Sequence, residues 1–162
     1  MTVDKDQREL LQYVWEKLRS IGEIFADQTR DNPHYFLAVL VQPGSEHFYY
    51  WPGDKPIGVM SLTEIVPRSS ATFHASFWEE APFNERLEVA RKLIGYALKK
   101  YELNRVSIIV PDFHKASIRA TVLLGFKFEG ALRKAHLYAG RHHDVQIYGL
   151  LREEFDKRAA VN

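Results

Sequence analysis

Seven histidines and no cysteine set the chemistry that this 162-residue chain can attempt. Without thiols there is no thiolate nucleophile, no disulfide and no cysteine zinc site. An imidazole, with a reference pKa near ~6.5, is then the side chain best suited to take up a proton at neutral pH. His74 sits in "ATFHASFW" (71–78). Its alternation puts Thr72, His74, Ser76 and Trp78 on one face and Ala71, Phe73, Ala75 and Phe77 on the other. The paired histidines of "RHHD" (141–144) suggest a metal site. Neighbours on a strand point to opposite faces, however, and no ligand set at i,i+2 or helical i,i+4 spacing accompanies them. We read a polar hairpin turn and expect no metal. Tyr49, Tyr50 and Trp51 are either the floor of a substrate site or sheet packing, the commoner role of aromatics in a β-run.

Elements must bring such residues together. Residues 6–20 read as an amphipathic helix: Asp6 and Glu9 make a capping-type start, and Leu11, Val14, Trp15 and Leu18 recur at helical spacing. A second short helix is expected over 21–28, ending before Asn32-Pro33 because proline disfavours α geometry in its predecessor. The period then falls to two. "YFLAVLV" (35–41), "HFYYW" (47–51), "IGVMSLTEIV" (57–66) and residues 71–78 are β-rich runs parted by Pro43-Gly44-Ser45, Pro52-Gly53-Asp54 and Pro67-Arg68-Ser69-Ser70. Connections this short predict an antiparallel meander.

A helix follows over 84–100, with Ala90, Leu93, Ile94 and Ala97 on one face. "NRVSIIV" (104–110) is a buried-type strand that its helical crossover makes parallel to its neighbour. Pro111-Asp112 is expected to open another helix carrying Ala116, Ala120, Leu123 and Leu124, with Gly125 as its left-handed cap. Two last strands flank Ala139-Gly140-Arg141, and residues 152–162 form a charged tail expected to fray.

The expected architecture is a single α+β domain over 1–162 with a mixed sheet. It has helices in 1–28, a β-meander over 35–78, a β-α-β-α-β-β half over 84–151, and the tail. The antiparallel and parallel halves meet where 71–78 lies beside 104–110. Strands that diverge at such a join leave backbone groups open, which makes a cleft for an extended ligand. A hydrophobic fraction of 46% fills a core at this length. A net charge of +1 with interspersed signs speaks against nucleic acid as partner. No apolar run approaches the roughly 20 residues that span a bilayer, and the polar start MTVDKDQREL is no signal peptide. A cytoplasmic protein without membrane contact is expected.

Within residues 96–155, Ser117, Leu124-Gly125-Phe126, Glu129-Gly130, Leu132-Arg133, Asp144 and Tyr148 follow one another in an order that resembles the GNAT superfamily of acyl-CoA-dependent N-acetyltransferases. The branch it resembles most acetylates ribosomal-protein N-termini; His114 stands where that branch has Asn. "PIGVMSLTEIVPRSSATFHASFW" is similar to the family's third and fourth strands. The resemblance implies a GNAT-like fold around a splayed central sheet, acetyl-CoA as co-substrate, and an amine acceptor, either a small molecule or a protein N-terminus. It leaves room for a homodimer. It places the cofactor against Ser76, Phe77 and Trp78 of the strand, Asn84 and Arg86 at the helix start, and His114 and Ser117.

Two departures stand out. The family's strand before the first helix is absent, and "YFLAVLV" is the candidate to replace it. The family's phosphate loop, Gln/Arg-x-x-Gly-x-Gly/Ala, is replaced by the glycine-free "EEAPFNERLEVA" (79–90), with the family's glycines falling near Phe83 and Glu85. Side chains there obstruct close backbone approach to phosphate. Glu79, Glu80, Glu85 and Glu88 add negative charge against Arg86 alone. Asn84 is expected to cap the helix, whose dipole is worth ~0.3–1 kcal/mol to an anion.

The resemblance also assigns catalytic candidates. The tyrosine acid of many members is Thr121 here, so that route is missing. The ribosomal-protein branch uses the serine that is Ser117, for which first-turn helix capping is the alternative role. Its glutamate base falls on His136 in "RKAHLY". By simple alternation His136 shares a face with Phe126, Phe128 and Leu132 and points inward unless a bulge intervenes; a structural histidine at a strand end is the alternative. His74 is the second candidate base. His114 either orders the loop beside the cofactor or is a solvated loop residue. Two functions follow: an N-acetyltransferase, or a GNAT-fold binding and assembly module, for instance in a bacterial or phage complex, that no longer binds CoA.

Overall fold

The computed structural model describes residues 5–21, 42–78 and 81–160, together with the single positions Asn32, His34 and Ala38. Helix α1 spans Lys5–Ile21. Strands β1 (Glu46–Tyr50), β2 (Gly58–Val66) and β3 (Ser70–Phe77) follow, then helix α2 (Phe83–Lys100), strand β4 (Arg105–Pro111), helix α3 (Lys115–Leu124), strands β5 (Lys127–Tyr138) and β6 (Arg141–Leu151), and helix α4 (Arg152–Ala159). Among the described residues the strands form one sheet in the order β1-β2-β3-β4-β6-β5. All neighbours are antiparallel except β3 and β4, which run parallel. This is the expected mixed α+β sheet.

The alternation of the strands divides the sheet's two faces. Met60, Leu62, Ala71 and Phe73 turn toward α2, where they meet Ala90, Leu93, Ile94, Ala97 and Leu98, and the cluster extends through Val106, Val110, Leu124, Phe126, Tyr148 and Leu150. Leu62, Leu103 and Leu150 are fully buried there, each burial worth roughly 1.5–3 kcal/mol. On the opposite face Val14 and Leu18 of α1 bury Val59, with Tyr13, Tyr49 and Trp78 packed around them. Tyr49 and Tyr50 are therefore packing residues of the two faces.

Several sequence expectations need correction. Of the run 35–41 expected as a strand, only Ala38 is described, and it is helical; the expected helix over 21–28 lies outside the described residues after Ile21. Pro111 does not open a helix. It is the last residue of β4, paired with Val145, and α3 starts at Lys115 after a turn. Residues 152–159 of the tail do not fray: they are helical because Phe155 packs onto the main core and Glu154 accepts the Leu151 N–H at 3.0 Å while pairing with Lys127 at 2.5 Å. Gly125 is the expected left-handed cap, with φ of 103°.

The motif residues that carried the family resemblance are mostly braces. Glu129 pairs with Arg105 at 2.7 Å across Gly149, where a Cβ would lie 2.3 Å from the Glu129 carboxylate. Asp144 accepts the N–H of Lys134, whose φ of 54° marks a kink in β5. The buried Tyr148 donates its hydroxyl to Gln146 at 2.7 Å.

Candidate active site

The parallel seam between β3 and β4 is short: Ser70, Ala71 and Thr72 pair with Arg105, Val106 and Ser107, and there the ladder stops. Beyond it the strands part. Trp78 N–H donates to Ile57 on the β2 side, so by strand alternation Ser76 and His74 also turn their backbone groups to β2. Phe73, Ala75 and Phe77 therefore turn theirs into the gap. This is a refinement of the sequence reading, in which Ser76 stood for the ligand-pairing strand.

The gap opens into a cleft of about 610 Å³ walled by β3, the end of β4, the first turns of α2 and α3, and Ile21 at the end of α1. Among the described residues its lining includes Arg86, Lys115, His74 and His114 and no aspartate or glutamate. Of the predicted residues, His74, Ser76, Phe77, Arg86, His114 and Ser117 come together around this one cleft.

Each is held by its element. His74 stands on the α1 face of β3, opposite Ser61, with its Nε2 3.2 Å from the Thr63 hydroxyl. The ring keeps a solvent-accessible edge, yet atoms of the sheet crowd it. That burial holds its pKa below the ordinary histidine value, with Glu64 pulling upward and His47 adding to the depression. His74 is therefore a neutral imidazole at pH 7. Ser117 is the third residue of α3 and is exposed to the cleft. Its hydroxyl makes no hydrogen bond among the described residues, so it is not a helix cap; its carbonyl accepts the hydroxyl of buried Thr121. His114 is the residue at the α3 N-cap position, without a side-chain capping bond, and its ring lies edge-on to Phe113 at 4.4 Å.

Three expected site residues are placed elsewhere. Trp78 packs beneath α1, its indole donating to the Pro56 carbonyl at 3.0 Å and its ring edge-on to Tyr13. Asn84 does not cap α2; Pro82 occupies the N-cap position, and Asn84 is the exposed second helical residue. His136 does not line the cleft. Its ring packs against Phe113, 5.9 Å between centroids, and it is Phe113 that faces the cleft. The register of β5 shifts between Phe128 and Gly130 and again between Leu132 and His136. Phe128 therefore lies opposite Tyr148 and Leu132 opposite Val145, on different faces, and simple alternation fails. Both are more than half exposed while Phe126 is buried.

Sequence reasoning missed Phe83, Lys115, Arg119 and Phe113 as neighbours of the site. Lys115 and Arg119 are one helical turn apart on α3, and this basic i,i+4 pair was the available signal. Two of the acidic residues that seemed to oppose an anion do not line the cleft: Glu85 is exposed and Glu88 pairs with Lys92 at 2.7 Å on the outer side of α2. Glu79 and Glu80 lie outside the described residues. No helix among the described residues is long and apolar enough to cross a membrane.

No family model matches the chain. Curated relatives do. A 66-residue stretch, 41% of the chain, is 39% identical to YdaF of Bacillus subtilis (strain 168), which carries a ribosomal N-acetyltransferase name. That match spans only 36% of YdaF's length. Over 145 residues, 87% of this chain and 81% of the relative, the protein is 26% identical to the SPbeta prophage-derived uncharacterized N-acetyltransferase YokL of Bacillus subtilis (strain 168). Among solved structures, a chimera of the Vibrio cholerae spermidine N-acetyltransferase SpeG superposes with a TM-score of 0.75 at 17% identity, covering 91% of this chain and 95% of that one. RimL, a ribosomal L7/L12 alpha-N-protein acetyltransferase solved in complex with coenzyme A, superposes with a TM-score of 0.66 at 16% identity, covering 89% and 85%. The chain therefore has the fold of these GNAT acetyltransferases, and its curated relatives carry N-acetyltransferase names.

Proposed function

We propose that this protein moves an acetyl group from acetyl-CoA to an amine, a small molecule or a protein N-terminus. The observation that carries the reading is the splay. Backbone N–H and C=O groups of Phe73, Ala75 and Phe77 are left open along a cleft that is free of carboxylates among the described residues, the arrangement that receives an extended amide-bearing arm by strand-like pairing. The residues present thus fit a CoA arm. Acetyl-CoA supplies the activated acyl group; the chain supplies orientation and proton handling. Backbone pairing along β3 aligns the arm, and His74, neutral at pH 7, takes the proton that the acceptor amine must lose. Ser117, exposed to the cleft from the first turn of α3, donates a proton to the departing sulfur.

The glycine-free start of α2, with Pro82 and Phe83 at its first positions, is the observation that favours the other reading, a module that has lost CoA. Titration calorimetry with acetyl-CoA separates the two. Micromolar binding that is lost in Ala75→Pro, which removes a cleft-facing N–H and leaves the β2 ladder whole, supports the transferase; no binding at millimolar acetyl-CoA supports the module. With binding in hand, His74→Gln should lower the turnover of an amine panel by about 10²-fold or more.

A further inference from the structure

Three cations stand at the mouth of the cleft without a carboxylate among the described residues. Arg86, in the first turns of α2, holds its guanidinium 5.7 Å from the Phe77 ring centroid and 6.0 Å from that of Phe83. Its Nε is buried and has no hydrogen-bond partner. Arg119, on α3, places its guanidinium 5.7 Å from the same Phe83 ring. Lys115, one turn before Arg119, lines the cleft. Among the described residues none of the three enters an ion pair, although the chain has almost as many acids as bases.

Surface cations normally find a carboxylate at little cost. Here two guanidiniums from different helices converge on one aromatic ring, which orients them by cation–π contact and supplies no hydrogen-bond acceptor. A buried donor without an acceptor is unfavourable. What satisfies the donors of a planar guanidinium fork, balances two or three clustered positive charges and tolerates an aromatic wall is a phosphate group.

We infer that the phosphates of CoA are gripped by the side chains of Arg86 and Arg119, oriented by Phe83 and assisted by Lys115, in place of the bare backbone of a glycine loop. The inference rests on the acetyl-CoA reading above. It turns the meaning of "EEAPFNERLEVA" around: Phe83 is a part of the grip, and a glycine in its place removes the ring that both arginines pack against.

The test is titration calorimetry of the whole protein with acetyl-CoA at low and moderate salt, alongside S-acetylpantetheine, which has the same thioester arm and no phosphate. Far-UV circular dichroism and the melting temperature check that each variant is folded. Arg86→Gln and Arg119→Gln should each weaken acetyl-CoA binding by about ten- to a hundredfold, flatten its loss with salt, and leave S-acetylpantetheine unaffected. Phe83→Gly should weaken acetyl-CoA binding as well. Tighter binding by Phe83→Gly, or wild-type affinity in both arginine variants, overturns the arginine grip while the transferase reading stands. A wild-type protein that binds no acetyl-CoA at millimolar concentration overturns both.

Discussion

Arg152 ties the end of the crossover helix to the strand that follows it, and its replacement is the sharpest test of how the parallel half is held. Its Nε donates to the Leu103 carbonyl at 2.7 Å and its second guanidinium nitrogen to the Leu98 carbonyl. Both leucines are buried, Leu103 completely, and the Leu98 carbonyl, in the last turn of α2, also accepts the Leu103 N–H at 3.1 Å, so the guanidinium is its second donor. Hydrogen bonds from a charged donor are worth about 1.5–3 kcal/mol each. Arg152 itself is half-buried, so water replaces part of the loss, and we expect Arg152→Leu to cost roughly 2–4 kcal/mol. For a domain of this size that is a drop of about 5–15 °C in melting temperature. In guanidinium denaturation the midpoint should fall with an unchanged slope. Arg152→Lys, which reaches one carbonyl, should lose about half as much. A loss below about 1 kcal/mol in Arg152→Leu would show that the Leu103 carbonyl finds water and the Leu98 carbonyl keeps the Leu103 N–H, so that the guanidinium does not hold this corner.

Ala139 and Gly140 both have positive φ, 50° and 70°, in a two-residue hairpin between Tyr138 and Arg141. Ala139→Asn should therefore raise stability by about 0.5–1 kcal/mol in urea unfolding, as this turn type favours Asn-Gly. Gly149→Ala should lose roughly 1–3 kcal/mol in the same assay, because the new methyl would displace the Glu129–Arg105 pair. Burial holds His74 below its unfolded value, so the folded state binds fewer protons there. Its contribution to stability is complete above pH ~6.5 and is lost as the pH falls through the folded pKa; His74→Gln should flatten that decline in a pH series of melting temperatures. If His74 is the base, the rate of acetyl transfer falls on the acid side with an apparent pKa below ~6.5, and the limb disappears in the same variant.

What the sequence made legible and what it hid divide along physical lines. α2 was readable because Ala90, Leu93, Ile94 and Ala97 obey a single period and one face packs against the sheet. The α3 cap was readable because only a glycine takes φ of 103° there without strain. The face of His136 was not readable, since the bulge beside Glu129 and the kink at Lys134 each break the alternation from which faces are deduced. α4 was hidden by its charge: one apolar side chain, Phe155, reaches the core, meeting Gly95 where a methyl would lie 3.0 Å from the ring. For the site, the cleft followed from topology, the divergence of β3 and β4, and was foreseeable. Of its cations Arg86 was foreseeable, and the convergence of Arg119 on it was not. Arg119 joins Arg86 only through Phe83, a contact between two helices that no sequence spacing announces.

The three-residue seam between β3 and β4 also bears on how the molecule assembles. β1, β2 and β3 are joined by short turns, and β5 and β6 by a two-residue hairpin, so both groups can form from local contacts. The seam must bring Ser70 and Arg105 together across the whole α2 crossover, and it gains only three residue pairs in return. Long loops close slowly and are rewarded late. The halves are thus expected to zip up separately, with the burial of α2 driving their union. The event that completes the fold is then also the event that creates the cleft, and a chain arrested before it would have most of its secondary structure and no place for a cofactor.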